Sequence, residues 1–217
     1  MAFPALTSAI NSTTRDPVPY PSIMDNLFEI ATFDPPLAQQ FSIALSRDVS
    51  AAGNGGTLTI GGVPDFTDPT VNVSSDTSTS ATLQLVTSFS TVNYTFYSII
   101  IDGYVLGEST MGAQTQIIID SGADVIEAPT DIANAINGLW TTVNADGSLP
   151  CDAGFTEPFG IAIGGATYYV NPADLISNVN GVCNSLVSPG DGDQFLVGDP
   201  LLKNVLAIYD WGNVVMS

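Results

Sequence analysis

The residues best suited to chemistry in this sequence are acids. The stretch IIIDSGADVIEAP, residues 117–129, carries one of them, Asp120, from three consecutive isoleucines into a turn of Ser121 and Gly122. Asp, Ser and Gly are ordinary turn residues, because Asp and Ser side chains bond back to the backbone and Gly accepts positive φ. A turn in open solvent does not need Ile117, Ile118 and Ile119 in front of it. The apolar run places the carboxylate at the end of a buried strand, on a rigid element at the mouth of a core, where acid or base work is feasible. The absences narrow the chemistry further. The chain has no histidine, which removes Ser-His-Asp and Cys-His mechanisms and any His-ligated zinc site. Two cysteines are too few for a thiolate zinc site, and the single lysine, Lys203, leaves little room for Schiff-base catalysis. No metal and no cofactor is therefore expected, and carboxylates are left to do the work.

The elements that must position Asp120 read mainly as strands. From about residue 55 onward the dominant period is two, in GGTLTIGG, ATLQLVTSFS, YTFYSIIIDGYVLG and FGIAIGGATYYV, with glycine turns between. In the last of these, Phe159, Ile161 and Ile163 share a face, and Gly164-Gly165 sits where a two-residue hairpin turn needs positive φ. Helices read as short punctuation. Thr130 is a candidate N-cap for a helix carrying Ile132, Ala133 and Ile136 and stopped at Gly138. Asn171 with Pro172, and Asp199 with Pro200, pair a cap with proline at the first helical position. Many strands with a few short helices predict an all-β fold of packed antiparallel sheets. Residues 1–48 read as loop-rich and partly helical, and their apolar residues (Ile23, Met24, Leu27, Phe28, Ile30, Phe33, Leu37, Phe41) need the downstream β domain as a packing surface.

Charge and length bound the setting. The 217 residues suffice for a sizeable core. Three basic residues, Arg15, Arg47 and Lys203, face 22 acids for a formal net charge of −19. Nucleic acid and anionic membrane surfaces would repel such a chain. Its self-repulsion relaxes as carboxylates protonate near their reference values of about 4, so the composition suits an acidic environment. No stretch reaches the roughly 18 uninterrupted apolar residues of a spanning helix. The first twelve residues show no secretory signal. Sequons at Asn11, Asn72 and Asn93 are candidate glycosylation sites, and with the cysteine pair they predict a secreted or vacuolar chain.

Several ordered features resemble the C-terminal half of a pepsin-like aspartic protease. IIIDSGA is similar to that family's apolar-apolar-Asp-Thr/Ser-Gly active-site signature, and DVIEAPTDIANAI to the strand and short helix after it. QFLVGDPLLKNVLAIYDWGN resembles the closing segment, where Leu196, Val197 and Gly198 thread a supporting loop beside the aspartate and Tyr209-Asp210 opens the last strand. QQFSIALSRD and GGTLTIGG resemble the crossover into that lobe and its first hairpin. The resemblance implies a disulfide between Cys151 and Cys183, whose loop closure would remove about 3.7 kcal/mol of unfolded-chain entropy. The alternative for these two residues is a pair of buried free thiols. The implied organisation is a remnant of the N-terminal lobe plus crossover over residues 1–48, and a C-terminal lobe over 49–217.

What the resemblance implies for function is peptide-bond hydrolysis at acidic pH by two aspartates sharing a water, with Asp120 as one of them. Ser121, Gly122 and Ala123 form the active-site loop, and Ile118 and Asp124 are candidate substrate-binding residues. Ser121 would reach its counterpart loop in the other lobe, and Gly122 would let substrate backbone approach. Ala123 stands where the family commonly has a hydroxyl residue, removing one donor to the aspartate's outer oxygen. Asp124 adds an acid beside a substrate pocket. The sequence holds no second Asp-Thr-Gly or Asp-Ser-Gly and no Tyr-Gly flap. The expected molecule is thus a half-enzyme, inert without a partner lobe. The alternatives are a homodimer pairing Asp120 from two chains, and a lobe that binds peptides without cleaving them.

Overall fold

A computed structural model describes residues 8–10, 17–19, 26–28, 36–47, 55–65, 78–87, 96–190, 192 and 194–217. The sequons at Asn11, Asn72 and Asn93, together with Ile23, Met24, Ile30, Phe33 and Arg15, lie outside the described residues. The strands in chain order are β1 (Ser8–Ile10), β2 (Pro17–Pro19), β3 (Gln40–Leu45), β4 (Gly56–Ile60), β5 (Ala81–Thr82), β6 (Ser98–Ile101), β7 (Gly103–Leu106), β8 (Ser109–Met111) and β9 (Thr115–Ile119). They continue with β10 (Ile126–Ala128), β11 (Phe159–Ile163), β12 (Ala166–Val170), β13 (Ile176–Val179), β14 (Val182–Ser185), β15 (Val187–Pro189), β16 (Phe195–Val197), β17 (Leu206–Asp210) and β18 (Val215–Met216). Among the described residues, helices α1 (Thr130–Asn137) and α2 (Asp199–Leu202), a helical stretch at 26–28 and a 3-10 turn at Pro172–Leu175 punctuate them.

The fold is all-β, as the periodicity predicts. Three sheets carry the core, ordered β15-β10-β16-β9-β6, β12-β11-β7-β8 and β4-β3-β17-β18-β5; β1 pairs with β2, and β13 with β14. Most pairings are antiparallel, but the first sheet is mixed, since β16 runs parallel to β9 and β15 parallel to β10. Segments far along the chain return to the sheet there, which a local alternation pattern cannot reveal. The apolar run SIIIDGYVL is one stretch in sequence but two strands in different sheets. Gly103, at φ 154, turns the corner between β6 and β7, and a Cβ there would come 2.7 Å from the Thr110 methyl and 2.9 Å from the Met111 carbonyl oxygen.

The hairpin of β11 and β12 turns on Gly164 and Gly165, at φ 57 and 82. ATLQLVTSFS yields only the two-residue β5 among its described residues. The helix starts differ from expectation. Pro129, not Thr130, is the N-cap of α1, and no side chain caps it. In α2 the N-cap is Gly198, and Asp199 is the first helical residue. Asn171 does cap its 3-10 turn, accepting from the Ala173 N–H at 3.0 Å. Nor does Tyr209-Asp210 open the final strand. It closes β17, after which the Asp210 carboxylate accepts from the Asn213 N–H at 2.9 Å and directs the chain into β18.

A single buried cluster joins the layers, with Ile99, Ile101, Ile117, Ile119, Ile126, Ile132, Ile136, Phe159, Ile161 and Val197 at its centre. Leu27 and Phe28 of the early segment pack against it. Strand β3 is built into the third sheet between β4 and β17. The Cys151–Cys183 disulfide is formed, with a Cα–Cα distance of 5.2 Å, and fastens residues 141–151 to β14.

Alternation along β9 makes a stability test. Ile117 is fully buried whereas Ile118 is half-exposed on the opposite face. Ile117→Ala is expected to lower unfolding free energy by about 3 kcal/mol, and Ile118→Ala by markedly less. Urea unfolding measures both, and equal losses would show that the two faces of β9 are not differently packed.

Candidate active site

Asp120 is the first residue past β9, and its turn is held almost entirely by backbone. β16 lies between the two strands that flank the turn, pairing Phe195, Leu196 and Val197 in parallel with Ile117, Ile118 and Ile119, and Val197 and Leu196 in antiparallel fashion with Ile126 and Glu127. The Asp120 N–H donates to the Val197 carbonyl at 3.0 Å, and the Ala123 N–H closes the turn onto the Asp120 carbonyl at 3.2 Å. One residue beyond β16, the Gly198 N–H donates to the Val125 carbonyl at 3.0 Å, and the Asp199 N–H to the Ala123 carbonyl at 2.9 Å. The loop 120–125 and the segment 197–199 are therefore stitched together from both sides.

Glycine is required at Gly198 for space. A Cβ there would fall 2.1 Å from the Ala123 carbonyl oxygen and 2.7 Å from its carbon, both backbone atoms. At Gly122 the tight neighbour is the carboxylate itself. The Gly122 N–H donates to Asp120 Oδ1 at 2.8 Å, and a Cβ on Gly122 would lie 3.2 Å from that oxygen. Asp120, Ser121 and Ala123 are half-buried, while Gly122 and Asp124 are exposed. The carboxylate thus sits on a fixed backbone donor at the protein surface, with the apolar sheet behind it.

The structure brings Asp120, Ser121, Gly122, Ala123 and Asp124 together with Val197 and Gly198. Ile118 and Leu196 are register partners one residue further back along the strands. Cys151 and Cys183 belong to the β14 side of the fold and form the disulfide described above. Among the described residues no group of three or more His, Cys, Asp or Glu is placed to hold a metal ion, and no helix is long and apolar enough to cross a membrane, which says nothing of a β-barrel.

Two further residues belong to the site's surroundings. Asp199 carries a carboxyl pushed up by burial, with Lys203 opposing the rise and the charges of Asp124 and Asp120 adding to it. Tyr209 is buried under the site, its phenol pushed up by burial first and then by Tyr97, Asp120 and Asp199. Its ring stacks on Phe41 at 4.6 Å between centroids and meets Tyr97 edge-on at 4.8 Å, and its hydroxyl has no hydrogen-bond partner among the described residues. The sequence offers a signal for Asp199, which directly follows Gly198, but read as a helix cap it hides its approach to Asp120. The aromatic trio joins residues far apart in the chain, and no local pattern announces it.

The comparisons with known proteins agree with this geometry. The family description "Eukaryotic aspartyl protease" matches residues 4–217. A protein of Aspergillus fumigatus named "Probable aspartic-type endopeptidase" is 31% identical over 234 residues, covering 100% of this chain and 51% of its own length. "Aspartic protease 17" of Caenorhabditis elegans is 28% identical over 204 residues, covering 88% of this chain and 47% of its own. "Rhizopuspepsin" of Rhizopus chinensis is 26% identical over 121 residues, covering 54% of this chain and 31% of its own. The chain spans about half the length of the first two of these relatives. With a carboxylate held on a glycine N–H at the end of a buried strand, and a family match running over nearly its whole length, this chain belongs to the eukaryotic aspartyl protease family.

Proposed function

We propose that residues 49–217 form the C-terminal lobe of an acid endopeptidase and that Asp120 is one of the two carboxylates that activate its hydrolytic water. The observation that carries this reading is the seating of Asp120: Oδ1 on the Gly122 N–H, at the end of a strand whose inward side chains are fully buried. A catalytic carboxylate needs this fixity, because a small misplacement of the reacting groups costs much of the rate. In such a dyad one carboxylate is ionised and takes a proton from the water, while the other is protonated and polarises the scissile carbonyl. Residues 1–48 are then a remnant of the other lobe and the crossover, with β3 of that crossover woven into the lobe's own sheet. Ser121 faces the partner lobe's loop, and Gly122, exposed and without a side chain, lets a peptide backbone pass close to Asp120. The substrate is a peptide or unfolded protein and the compartment acidic, secretory or vacuolar. Nucleic acid and anionic membranes are disfavoured by the net charge of −19.

The test is cleavage of an unfolded protein at about pH 3.5 to 4.5, where aspartate dyads work, over a range of concentrations, with Asp120→Asn and with pepstatin as controls. The chain alone is expected to be inactive and to cleave when the complementary lobe is supplied. Activity of the isolated chain rising more than linearly with concentration would instead assign a homodimer. Peptide binding without turnover even with the lobe present would overturn the hydrolytic assignment.

Asp124 bears on substrate choice. Exposed and four residues along the chain from Asp120, it favours basic or neutral over acidic substrate side chains near it. Asp124→Ala in the complemented enzyme is expected to weaken that preference by about five-fold in kcat/KM ratio. An unchanged cleavage pattern on a peptide mixture would exclude the role.

Asp199 bears on pH. Its folded-state carboxyl is raised, chiefly by burial, so the fold favours the protonated form more than the unfolded chain does. The resulting stabilisation is complete below the unfolded titration and is lost as pH rises through the folded one. Asp199→Asn, which mimics the protonated form, should therefore gain in Tm over the parent as pH goes from about 3 to about 7. A Tm difference independent of pH would show that Asp199 does not couple folding to protonation.

A further inference from the structure

The loop that carries Asp120 leans on α2, and α2 is in turn tied to the chain segment that enters the lobe. Arg47, just past β3, donates from Nε to both carboxylate oxygens of Asp174, at 3.1 and 2.8 Å. Its Nη2 donates to Asn204 Oδ1, which also accepts from the Asn171 N–H at 3.2 Å. The Asn204 amide nitrogen donates to Asp174 Oδ2 at 2.9 Å and to the Pro200 carbonyl at 2.7 Å. Asn204 thereby uses its full amide capacity, two acceptances and two donations. It joins four places: the crossover at Arg47, the end of β12 at Asn171, the 3-10 turn at Asp174, and α2 at Pro200.

This geometry is more than a surface ion pair. Asp174 is 7% exposed, and a buried carboxylate without charged and hydrogen-bonding partners is strongly disfavoured. Removing Arg47 would take the charged partner from the Asp174 carboxylate and leave it the Asn204 amide. Pro200 is the second residue of a four-residue helix whose first residue, Asp199, holds the Ala123 carbonyl and whose cap, Gly198, holds that of Val125. Leu201 and Leu202 of the same helix are buried in the core. A helix this short moves as one piece.

We propose that Arg47, Asp174 and Asn204 are positioning residues, a latch through which the crossover segment sets the placement of α2 and hence of the Asp120 turn. The proposal rests on the assignment of Asp120 as a catalytic carboxylate only for its functional consequence. In an assembled enzyme the segment that joins the lobes would hold the Asp120 turn in register without touching it. The structural link itself is read in this chain without substrate.

The test uses the full chain and amide hydrogen exchange by NMR. In Arg47→Gln, exchange at the Gly198 and Asp199 amides is expected to rise about tenfold relative to the amides of the β11–β12 hairpin, and the Gly122 amide proton, which reports the bond to Asp120 Oδ1, is expected to shift. Arg47→Lys, which keeps the charge but not the fork, should restore part of both effects. Asn204→Ala should reproduce the selective rise while leaving the Arg47–Asp174 pair intact. A uniform rise at all amides, or a rise confined to residues 171–175 with Gly122 unmoved, would overturn the latch and leave the assignment of Asp120 untouched. If Arg47→Gln does not fold, Arg47→Lys and Asn204→Ala decide the question by the same selective readout. Conversely, a complemented enzyme that binds but does not cleave would remove the hydrolytic reading and leave the latch standing.

Discussion

The arrangement turns on one close approach, the passage of Gly198 beneath the backbone of Ala123. No side chain fits there, since the first carbon of any would overlap the Ala123 carbonyl group. Because the two backbones can touch, the N–H groups of Gly198 and Asp199 reach the carbonyls of Val125 and Ala123. Because those bonds form, β16 can sit between β9 and β10 with the turn wrapped over its end. The mixed sheet, the start of α2 and the orientation of Asp120 all follow from this contact. A backbone polar group buried without a partner costs free energy comparable to a lost hydrogen bond, so a displaced segment 197–199 would strand donors and acceptors on both sides at once.

Below that contact the protein changes character from polar to aromatic. Phe41 from β3, Tyr97 before β6 and Tyr209 from β17 meet in a cluster with centroid spacings of 4.6 to 5.7 Å. Such pairs add packing energy beyond their area, and here they unite β3, β17 and the segment entering β6 under the site. The same apolar layer lowers the local dielectric, which is why the groups around Asp120 that shift do so toward their neutral forms. Asp199 and Tyr209 are both pushed up by burial first, with neighbouring carboxylates among the smaller causes. A chain with 22 acids and three bases is repelled by its own charge at neutral pH, and at Asp199 the charges of Asp124 and Asp120 add to that repulsion locally. Acid conditions relieve both the global and the local repulsion.

Much of this was legible in the sequence, and the limits have physical causes. Period-two alternation and glycine pairs located the β11–β12 hairpin, and three isoleucines before Asp120 located the strand that ends in the turn, because both depend on neighbours in sequence. The run SIIIDGYVL could not disclose that it serves two sheets, since burial on both faces erases alternation. Thr130 and Asp199 have side chains that suit a cap, yet Pro129 and Gly198 occupy that position. At α2 the spatial need for glycine at the Ala123 contact outranks capping preference. The Arg47, Asp174 and Asn204 network has no signature in the sequence, since its members meet only when the chain has folded and propensity carries no record of them.

The site's stability and its chemistry are assigned to different atoms. Asp120 N–H to Val197, Gly198 N–H to Val125 and Asp199 N–H to Ala123 are all backbone bonds, indifferent to the side chains at 123 and 124. The side chains at Ala123 and Asp124 can therefore change while the turn's backbone frame stays intact. The reverse holds at Gly198, where any side chain disturbs the frame. The half-exposed carboxylate of Asp120, resting on the Gly122 N–H, sits where these two sets of atoms meet.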